Sequence, residues 1–476
     1  MPAIDLQKIA DASKAELYGA NAVVAGLCID SRALQSGDVF VALRGERVDG
    51  HQFVEQVVGR GAAAAIVEQY LPAVDLPQLV VADSRRALAA AAALNCRAFD
   101  GTVVAITGSA GKTSCKNMTA AILARAGAVC ASEGNFNNEI GLPLMAQKIS
   151  SQHDFAVLEM GAAKPGDIRY LTEIARPDIA VITNVGEAHC AGFGGLQRTA
   201  QSKGEIYRAL PKHGIAVINR DDNFAGGWRE EMLSQLTNGR IIEFSLRDSG
   251  ADIYASDIVQ SIEGLEFIAH IRCGDARRQL PLTLPCLGAH TVANALAAIA
   301  VATALSVEDA DIAAALAVFQ PQRGRLCPLS GKNQLQLLDD SYNANPEAVV
   351  AAIDTLIATT DSSQRRVVVL GDMAELGDRA GELHRRSGAY AAAAGVDCLY
   401  AVGEFAAATV AGFEQRATAG ATACRFDSKA ALLSQLLSSD CRAACVLIKG
   451  SRSAAMDELV LSLSTAADVL SGAGQC

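Results

Sequence analysis

Val103-Val104-Ala105-Ile106-Thr107-Gly108-Ser109-Ala110-Gly111-Lys112-Thr113-Ser114 is the stretch from which the rest of the chain can be read. An apolar, β-branched run breaks into a Gly-rich turn carrying Gly-Lys-Thr, and a segment of helical character follows. Phosphate binding needs those parts in that order. Gly108 and Gly111 permit a tight turn whose N–H groups face inward around an anion, with Ser109 and Ala110 inside it. Lys112 brings a point charge to terminal phosphates, and the Thr113 hydroxyl can ligate Mg²⁺. Ser114 belongs to the helix that starts here, whose positive dipole end adds to the site. The longer P-loop pattern requires a Gly five residues before Gly111, where this chain has Ile106, so the match is the shorter G-x-x-G-K-T form. A Gly-rich turn that binds nothing is the competing reading. The strand before it and the Lys-Thr after it favour a nucleotide.

The 476 residues suggest roughly three domains of about 150 residues. Half the residues are apolar but few are aromatic, and Ala and Gly abound, which suits helices packed on parallel sheets better than a β-sandwich. A net charge of −11 argues against a nucleic-acid-binding surface. The thirteen cysteines form no C-x-x-C pair, the closest spacing being Cys441 and Cys445, so buried free thiols in a reducing compartment are expected. Met1 to Ala20 has no uninterrupted apolar core of the signal-peptide kind, and no stretch reaches the roughly 18 apolar residues of a membrane span. A soluble, cytoplasmic protein is expected.

Outward from the P-loop the chain divides into three blocks. The first runs to about Asp100, with strands expected at Val39 to Leu43, Ala64 to Val67 and Leu79 to Val81. The second opens with the P-loop strand and repeats apolar runs at Phe155 to Glu159, Ile179 to Asn184 and Ile215 to Asn219. Each precedes a helix-length segment, the rhythm of a parallel α/β sheet. From Asp252 to Leu284 the runs alternate, which predicts a small antiparallel insert, and Ala295 to Leu305 predicts an Ala-rich core helix. Pro321-Gln322-Arg323-Gly324-Arg325 has the character of a hinge. In the third block, strands are expected at Leu335 to Asp339, Val367 to Leu370, Cys398 to Val402 and Cys445 to Ile448. A helix should begin at Pro346 behind Asn345 as N-cap, with Glu347 complementing the dipole.

Further polar clusters follow the P-loop, and with it they resemble the Mur ligases of bacterial cell-wall synthesis. Thr107 to Thr113 is similar to that family's own short P-loop, which accounts for Ile106. The resemblance continues through Gly134-Asn135-Phe136-Asn137-Asn138-Glu139-Ile140-Gly141-Leu142-Pro143, Glu159-Met160-Gly161-Ala162 and Asp340-Ser341-Tyr342-Asn343-Ala344-Asn345-Pro346. Leu370-Gly371-Asp372-Met373-Ala374-Glu375-Leu376-Gly377, Lys449-Gly450-Ser451-Arg452, Asp30-Ser31-Arg32 and Asp49-Gly50-His51-Gln52-Phe53 extend it across all three blocks in order. It implies an α/β protein of three domains. These are an N-terminal UDP-sugar-binding domain over 1–100, a central parallel-sheet P-loop ATPase domain over 101–320, and a C-terminal Rossmann-like domain over 321–476 that binds the incoming substrate.

The resemblance also gives roles to residues that are ambiguous by themselves. Glu159, at a strand end, could equally be solvated; the resemblance makes it a Mg²⁺ ligand. His189, alone more often structural, becomes a metal ligand. Lys203 would ordinarily sit on the surface, whereas the family carbamylates this lysine with CO₂, turning a cation into an anion able to support a second Mg²⁺. Asn294, otherwise a cap or turn residue at the start of the Ala-rich helix, would contact adenine, although Thr291 follows His290 where the family has Asn. Arg325, otherwise a solvated charge, would reach the terminal phosphate, and Asp340 would accept hydrogen bonds from the ribose hydroxyls. Asn137 and Asn138 would lie near the activated carboxylate or the first metal, with a turn role open for one of them. Ser31 would contact the uridine end.

Within the family the resemblance is strongest to members that join D-alanyl-D-alanine to UDP-N-acetylmuramoyl-tripeptide. It implies ATP and two Mg²⁺ ions as cofactors, those two substrates as small-molecule partners, an acyl phosphate intermediate and a monomer. Whether the peptide's third residue is diaminopimelate or lysine is not written in these motifs. One rival is a sister ligase that adds a single amino acid, although the Asp-Asn-Pro-Arg of the diaminopimelate adder does not occur here. The other is a P-loop ATPase or switch that makes no covalent product. The combination of Glu159, His189 and Lys203 speaks against it.

Overall fold

Short apolar runs bounded by turn residues become buried strands, and the Ala-rich segments between them become covering helices. The computed structural model describes residues 4–45, 47–186, 193–274, 276–361 and 363–465. The first block forms a five-stranded sheet of β1 (Glu16–Tyr18), β2 (Gly26–Cys28), β3 (Asp38–Val41), β4 (Ala64–Val67) and β5 (Gln78–Val80). Its order is β1-β5-β4-β3-β2, and only β1 runs antiparallel to its neighbour. β3, β4 and β5 lie within two residues of their expected places. β1 and β2 were not legible because they are three residues long and only partly buried.

Helix α1 (Ser84–Arg97) joins this sheet to the next. The Asp83 side chain caps it by accepting from the N–H groups of Arg85 and Arg86. Its alanines allow close approach on two faces. Ala87, Leu88 and Ala91 pack into the first core, while Ala89, Ala92, Ala93 and Cys96 pack into the central one. Asn95 Nδ2 reinforces the junction by donating to the Ala146 and Ile149 carbonyls.

The central sheet has nine strands. These are β6 (Thr102–Thr107), β7 (Val129–Ala131), β8 (Phe155–Glu159), β9 (Ile179–Ile182), β10 (Ile215–Asn219), β11 (Arg240–Ser245), β12 (Ile253–Ser261), β13 (Gly264–Cys273) and β14 (Ala276–Leu284), in the order β14-β13-β12-β11-β10-β9-β6-β8-β7. The P-loop strand β6 lies between β9 and β8, parallel to both, so its C-terminal end opens in the middle of the sheet edge where ligands bind in such folds. β12 to β14 form the expected antiparallel meander, with one correction. β12 pairs in parallel with β11 through Phe244↔Ile253 and Ser245↔Tyr254, so the segment extends the main sheet rather than standing as a separate insert. Helix α2 (Lys112–Leu123) follows the P-loop, α3 is Gly141–Ala146, and α4 (Leu196–Arg208) carries Lys203. The Ala-rich helix α5 spans Ala289–Ala304 and packs on α2 in the central core. It starts six residues before Ala295, so Asn294 lies in its second turn, buried, and is neither cap nor turn.

The third block is a six-stranded sheet of β15 (Cys327–Ser330), β16 (Gln336–Asp340), β17 (Arg366–Leu370), β18 (Cys398–Val402), β19 (Thr422–Phe426) and β20 (Cys445–Lys449). The order is β15-β16-β20-β17-β18-β19, parallel except for β15. Helix α6 (Pro346–Thr359) starts as expected, with Asn345 accepting from the Ala348 N–H. None of the cysteines whose side chains are described forms a disulfide, and all of them except Cys28 and Cys424 are buried. Among the described residues no helix is long and apolar enough to cross a membrane.

Candidate active site

The site is built where β6 ends. Gly108 and Gly111 are both required there for want of space. A Cβ on Gly108 would collide with the Thr183 hydroxyl, and one on Gly111 with the Asn294 side-chain oxygen. Gly111 also has φ = +78°, a left-handed conformation that other residues adopt at a cost. The loop's N–H groups are shared differently from the sequence expectation. The Ser109 N–H donates to the Asn184 carbonyl and the Ala110 N–H to Asn184 Oδ1, both at 2.9 Å. An anion cradle therefore falls to the first turn of α2, whose leading N–H groups have no partner within the helix. Thr183 Oγ1 donates to the Ala110 carbonyl at 2.6 Å, and Asn219 Nδ2 steadies the Thr183 carbonyl from the next strand. Thr183, Asn184 and Asn219 thus hold the loop's shape. The sequence reading gave them no role, although polar side chains closing otherwise apolar parallel strands were a usable signal.

Two lysines converge on one atom. Lys112 Nζ donates to the Gly108 carbonyl at 2.9 Å, and buried Lys203 Nζ, from α4, donates to the same oxygen at 3.0 Å. Desolvation pushes the Lys112 pKa down, the Glu159 carboxylate opposes that shift, and Arg325 adds to it. Lys203 also lies over the Phe193 ring, 5.9 Å from its centroid. It is a buried residue of the site, not a surface lysine.

Glu159 ends β8, buried, facing the same cavity. Asn137 Nδ2 donates to its Oε1 at 2.7 Å, and its buried Oε2 has no hydrogen-bond partner. An unsatisfied buried carboxylate oxygen is costly unless a cation completes it, and this one fits a Mg²⁺ ligand. Among the described residues no three His, Cys, Asp or Glu side chains cluster as a ready cage. That suits Mg²⁺, which takes one or two carboxylates and leaves its other positions to phosphates and water. Asn138 Oδ1 accepts from the N–H groups of Ile140 and Gly141, so its oxygen serves the start of α3. His189 lies outside the described residues.

The third block closes the opposite wall. Arg325 Nη2 donates to Thr113 Oγ1 at 2.9 Å, and the guanidinium sits 4.5 Å from the Tyr342 ring centroid. Asp340, at the end of β16, is ion-paired with Lys449 Nζ. Glu375, in the loop after β17, has φ = +63°, a strained value for a residue with a Cβ. All of these, with Ser109 to Ser114, Asn137, Asn138, Glu159, Lys203 and Asn294, line one cavity of about 850 Å³ between the central and third sheets. Ser31 is buried in the first block and does not line it.

A Gly-Lys-Thr turn facing a buried carboxylate and lysine, with an arginine and an aspartate arriving from a second α/β unit, is the layout of an ATP-dependent ligase. Three family descriptions match along the chain. They are the Mur ligase family catalytic domain over 23–95, the Mur ligase middle domain over 106–302, and the Mur ligase glutamate ligase domain over 324–452. The chain belongs to the Mur ligase family. It is 39% identical over 466 residues to the Escherichia coli K12 protein named UDP-N-acetylmuramoyl-tripeptide–D-alanyl-D-alanine ligase, covering 97% of this chain and 99% of that one. The Bacillus subtilis protein of the same name is 32% identical, with 93% of each chain covered. Among solved structures, MurF from Acinetobacter baumannii superposes with a TM-score of 0.87 at 34% identity, over 97% of this chain and 99% of that one. MurF from Thermotoga maritima in complex with ADP gives 0.77 at 30% identity, over 92% and 96%.

Proposed function

We propose that this chain is an ATP-dependent ligase that joins D-alanyl-D-alanine to UDP-N-acetylmuramoyl-tripeptide, releasing ADP and phosphate. The observation that carries the reading is the hydrogen bond from Arg325 to Thr113, which brings the third block onto the P-loop inside one cavity shared with Glu159, Lys203 and Asp340. A nucleotide there would be held from both sides. Its β- and γ-phosphates would lie on the first turn of α2 and on Lys112, its ribose hydroxyls on Asp340, and its adenine near Asn294. The domains would divide at 100/101 and 320/321, between α1 and β6 and at the start of the Pro321–Arg325 connection.

Amide formation from a free carboxylate is uphill in water, so the acid must be activated. The peptide carboxylate oxygen would attack the γ-phosphorus as the bond to the ADP oxygen breaks. Lys112 and Arg325 would spread the charge that develops on the transferred phosphoryl group. The dipeptide amine would then attack the acyl carbon, lose its proton and expel phosphate. Thr113, Glu159 and His189 would hold Mg²⁺, which supplies Lewis-acid stabilisation of phosphate oxygens. Asn137 would orient Glu159, with Asn138 beside it in the same wall. A second Mg²⁺ would depend on Lys203 as a carbamate. Lys112 and Lys203 ammonium groups on one carbonyl are no more than about 6 Å apart. At that separation they repel by about 3 kcal/mol at an effective dielectric near 20, which carbamylation would turn into attraction. Ser31 would contact the uridine end in the first block, and the third block would receive the dipeptide. We assign the reaction to the cytoplasm, where ATP and UDP-linked precursors occur, and to a monomer, since one chain supplies the walls of the cavity.

The test is to supply ATP, Mg²⁺, the UDP-linked tripeptide and D-alanyl-D-alanine, and to weigh the product. A mass gain of one dipeptide, lost in Lys112→Ala, is expected. Product with single amino acids instead would identify a sister ligase. ADP release that needs no dipeptide and yields no heavier product would identify a switch.

A further inference from the structure

Lys449 was part of a recognisable motif but carries no role in the reaction described above. It ends β20, and its register partner across the parallel pair is Asp340, the end of β16. The lysine is 2% exposed, and its ammonium pairs with Asp340 Oδ2 and donates to the Asn343 carbonyl at 2.9 Å. Both residues line the large cavity. A buried ion pair is a poor way to gain stability, because desolvation offsets most of the attraction and well-packed apolar residues of similar volume often do as well. A pair placed at the sheet edge, facing a ligand cavity, asks for another explanation.

We propose that Lys449 is a positioning residue for nucleotide binding. It fixes the Asp340 carboxylate so that its remaining lone pairs face the ribose hydroxyls, and it anchors the Ser341–Asn345 turn through the Asn343 carbonyl. The inference rests on the reading of Asp340 as the ribose acceptor. A carboxylate offers about four lone-pair sites, so a lysine on Oδ2 leaves acceptors for a diol. The surroundings of Asp340 raise its pKa by desolvation, and Lys449 is the foremost group opposing that shift, followed by Arg325 and the Leu326 backbone. Lys449 therefore also favours the ionised, hydrogen-bond-accepting form of Asp340 against its burial. Arg325, whose charge also favours the ionised form of Asp340, separately donates to Thr113 of the P-loop.

The test compares ATP with 2′,3′-dideoxy-ATP, which lacks the hydroxyls in question, as substrates of the full-length enzyme. The variants are Asp340→Asn, Lys449→Met and Lys449→Arg, each checked by thermal melting. Asp340→Asn and Lys449→Met should each raise the KM for ATP about tenfold, the worth of one hydrogen bond to a charged group, and that for the dideoxy analogue less than about threefold. Lys449→Arg should recover most of the ATP affinity. If Asp340→Asn is selective for ATP but Lys449→Met affects both nucleotides equally, or neither, the positioning role of Lys449 is wrong while the ribose reading stands. If Asp340→Asn is not selective, the ribose reading falls and this inference with it. Should Lys449→Met not fold, Lys449→Gln takes its place under the same criteria.

Discussion

Gly111 shows how much the site asks of a single residue. Its left-handed backbone disfavours any side chain, and a Cβ would collide with Asn294 from α5. Gly111→Ala should therefore weaken ATP binding at least about tenfold and cost about 1 kcal/mol of stability, read by titration calorimetry and urea denaturation. Gly111→Ala combined with Asn294→Ala removes the collision but not the backbone strain. It should recover part of the stability without restoring ATP affinity, since Asn294 is itself assigned to adenine. Glu159 makes a second test at this scale. Its unsatisfied Oε2 predicts that Glu159→Gln loses the Mg²⁺ dependence of ATP binding, read by titration calorimetry with and without the metal. A Glu159→Gln protein whose ATP affinity still rises with Mg²⁺ as in the parent would sink the metal-ligand reading. These residues were legible because their motifs sit at strand ends. Asn184 was not, because its work is to hold the P-loop through Ala110, a contact between residues 74 positions apart that no local pattern announces.

At the scale of elements, what was legible followed burial. β4, β8, β10 and β18 lie at their expected bounds, because strands with apolar side chains on both faces read as unbroken runs. The partly exposed β1 and β2 left no such run. The parallel join between β11 and β12 could not be read either, since alternating runs announce antiparallel neighbours but not the edge to which they attach. The start of α6 was legible through chemistry rather than hydropathy, from Asn345 as cap, Pro346 in the first turn and Glu347 at the positive end. That cap has a measurable worth. Asn345→Ala should lower stability by about 1 kcal/mol in urea denaturation. Because Glu347, Ala348 and Ala351 of the same helix line the cavity, it should also raise the KM for a substrate bound there. A stability loss with unchanged KM values would limit Asn345 to the fold.

For the whole molecule, the two junctions differ in kind. The first and central units share α1, which lies in both cores, and Gln147 bonds both the N–H and the carbonyl of Leu27 across the same seam. Relative motion there would expose apolar surface from two cores at once. The third unit joins the central one through the Pro321–Arg325 connection, through Leu287, which packs in the third core, and through the contact of Arg325 with Thr113. That junction opens onto the cavity, so opening for substrate entry belongs there rather than at α1. A nucleotide spanning the P-loop and Asp340 would stabilise the closed arrangement, excluding water from an acyl phosphate that would otherwise hydrolyse. The consequence is testable without catalysis. ATP and Mg²⁺ should slow hydrogen exchange and proteolysis across residues 319–326 in the parent protein while leaving 84–97 unchanged. Arg325→Ala should abolish that protection and reduce turnover by about a hundredfold or more, the usual cost of removing a group aimed at transition-state charge. If nucleotide instead protects the segment around α1, or protects 319–326 equally well without Arg325, then closure is not organised by this arginine.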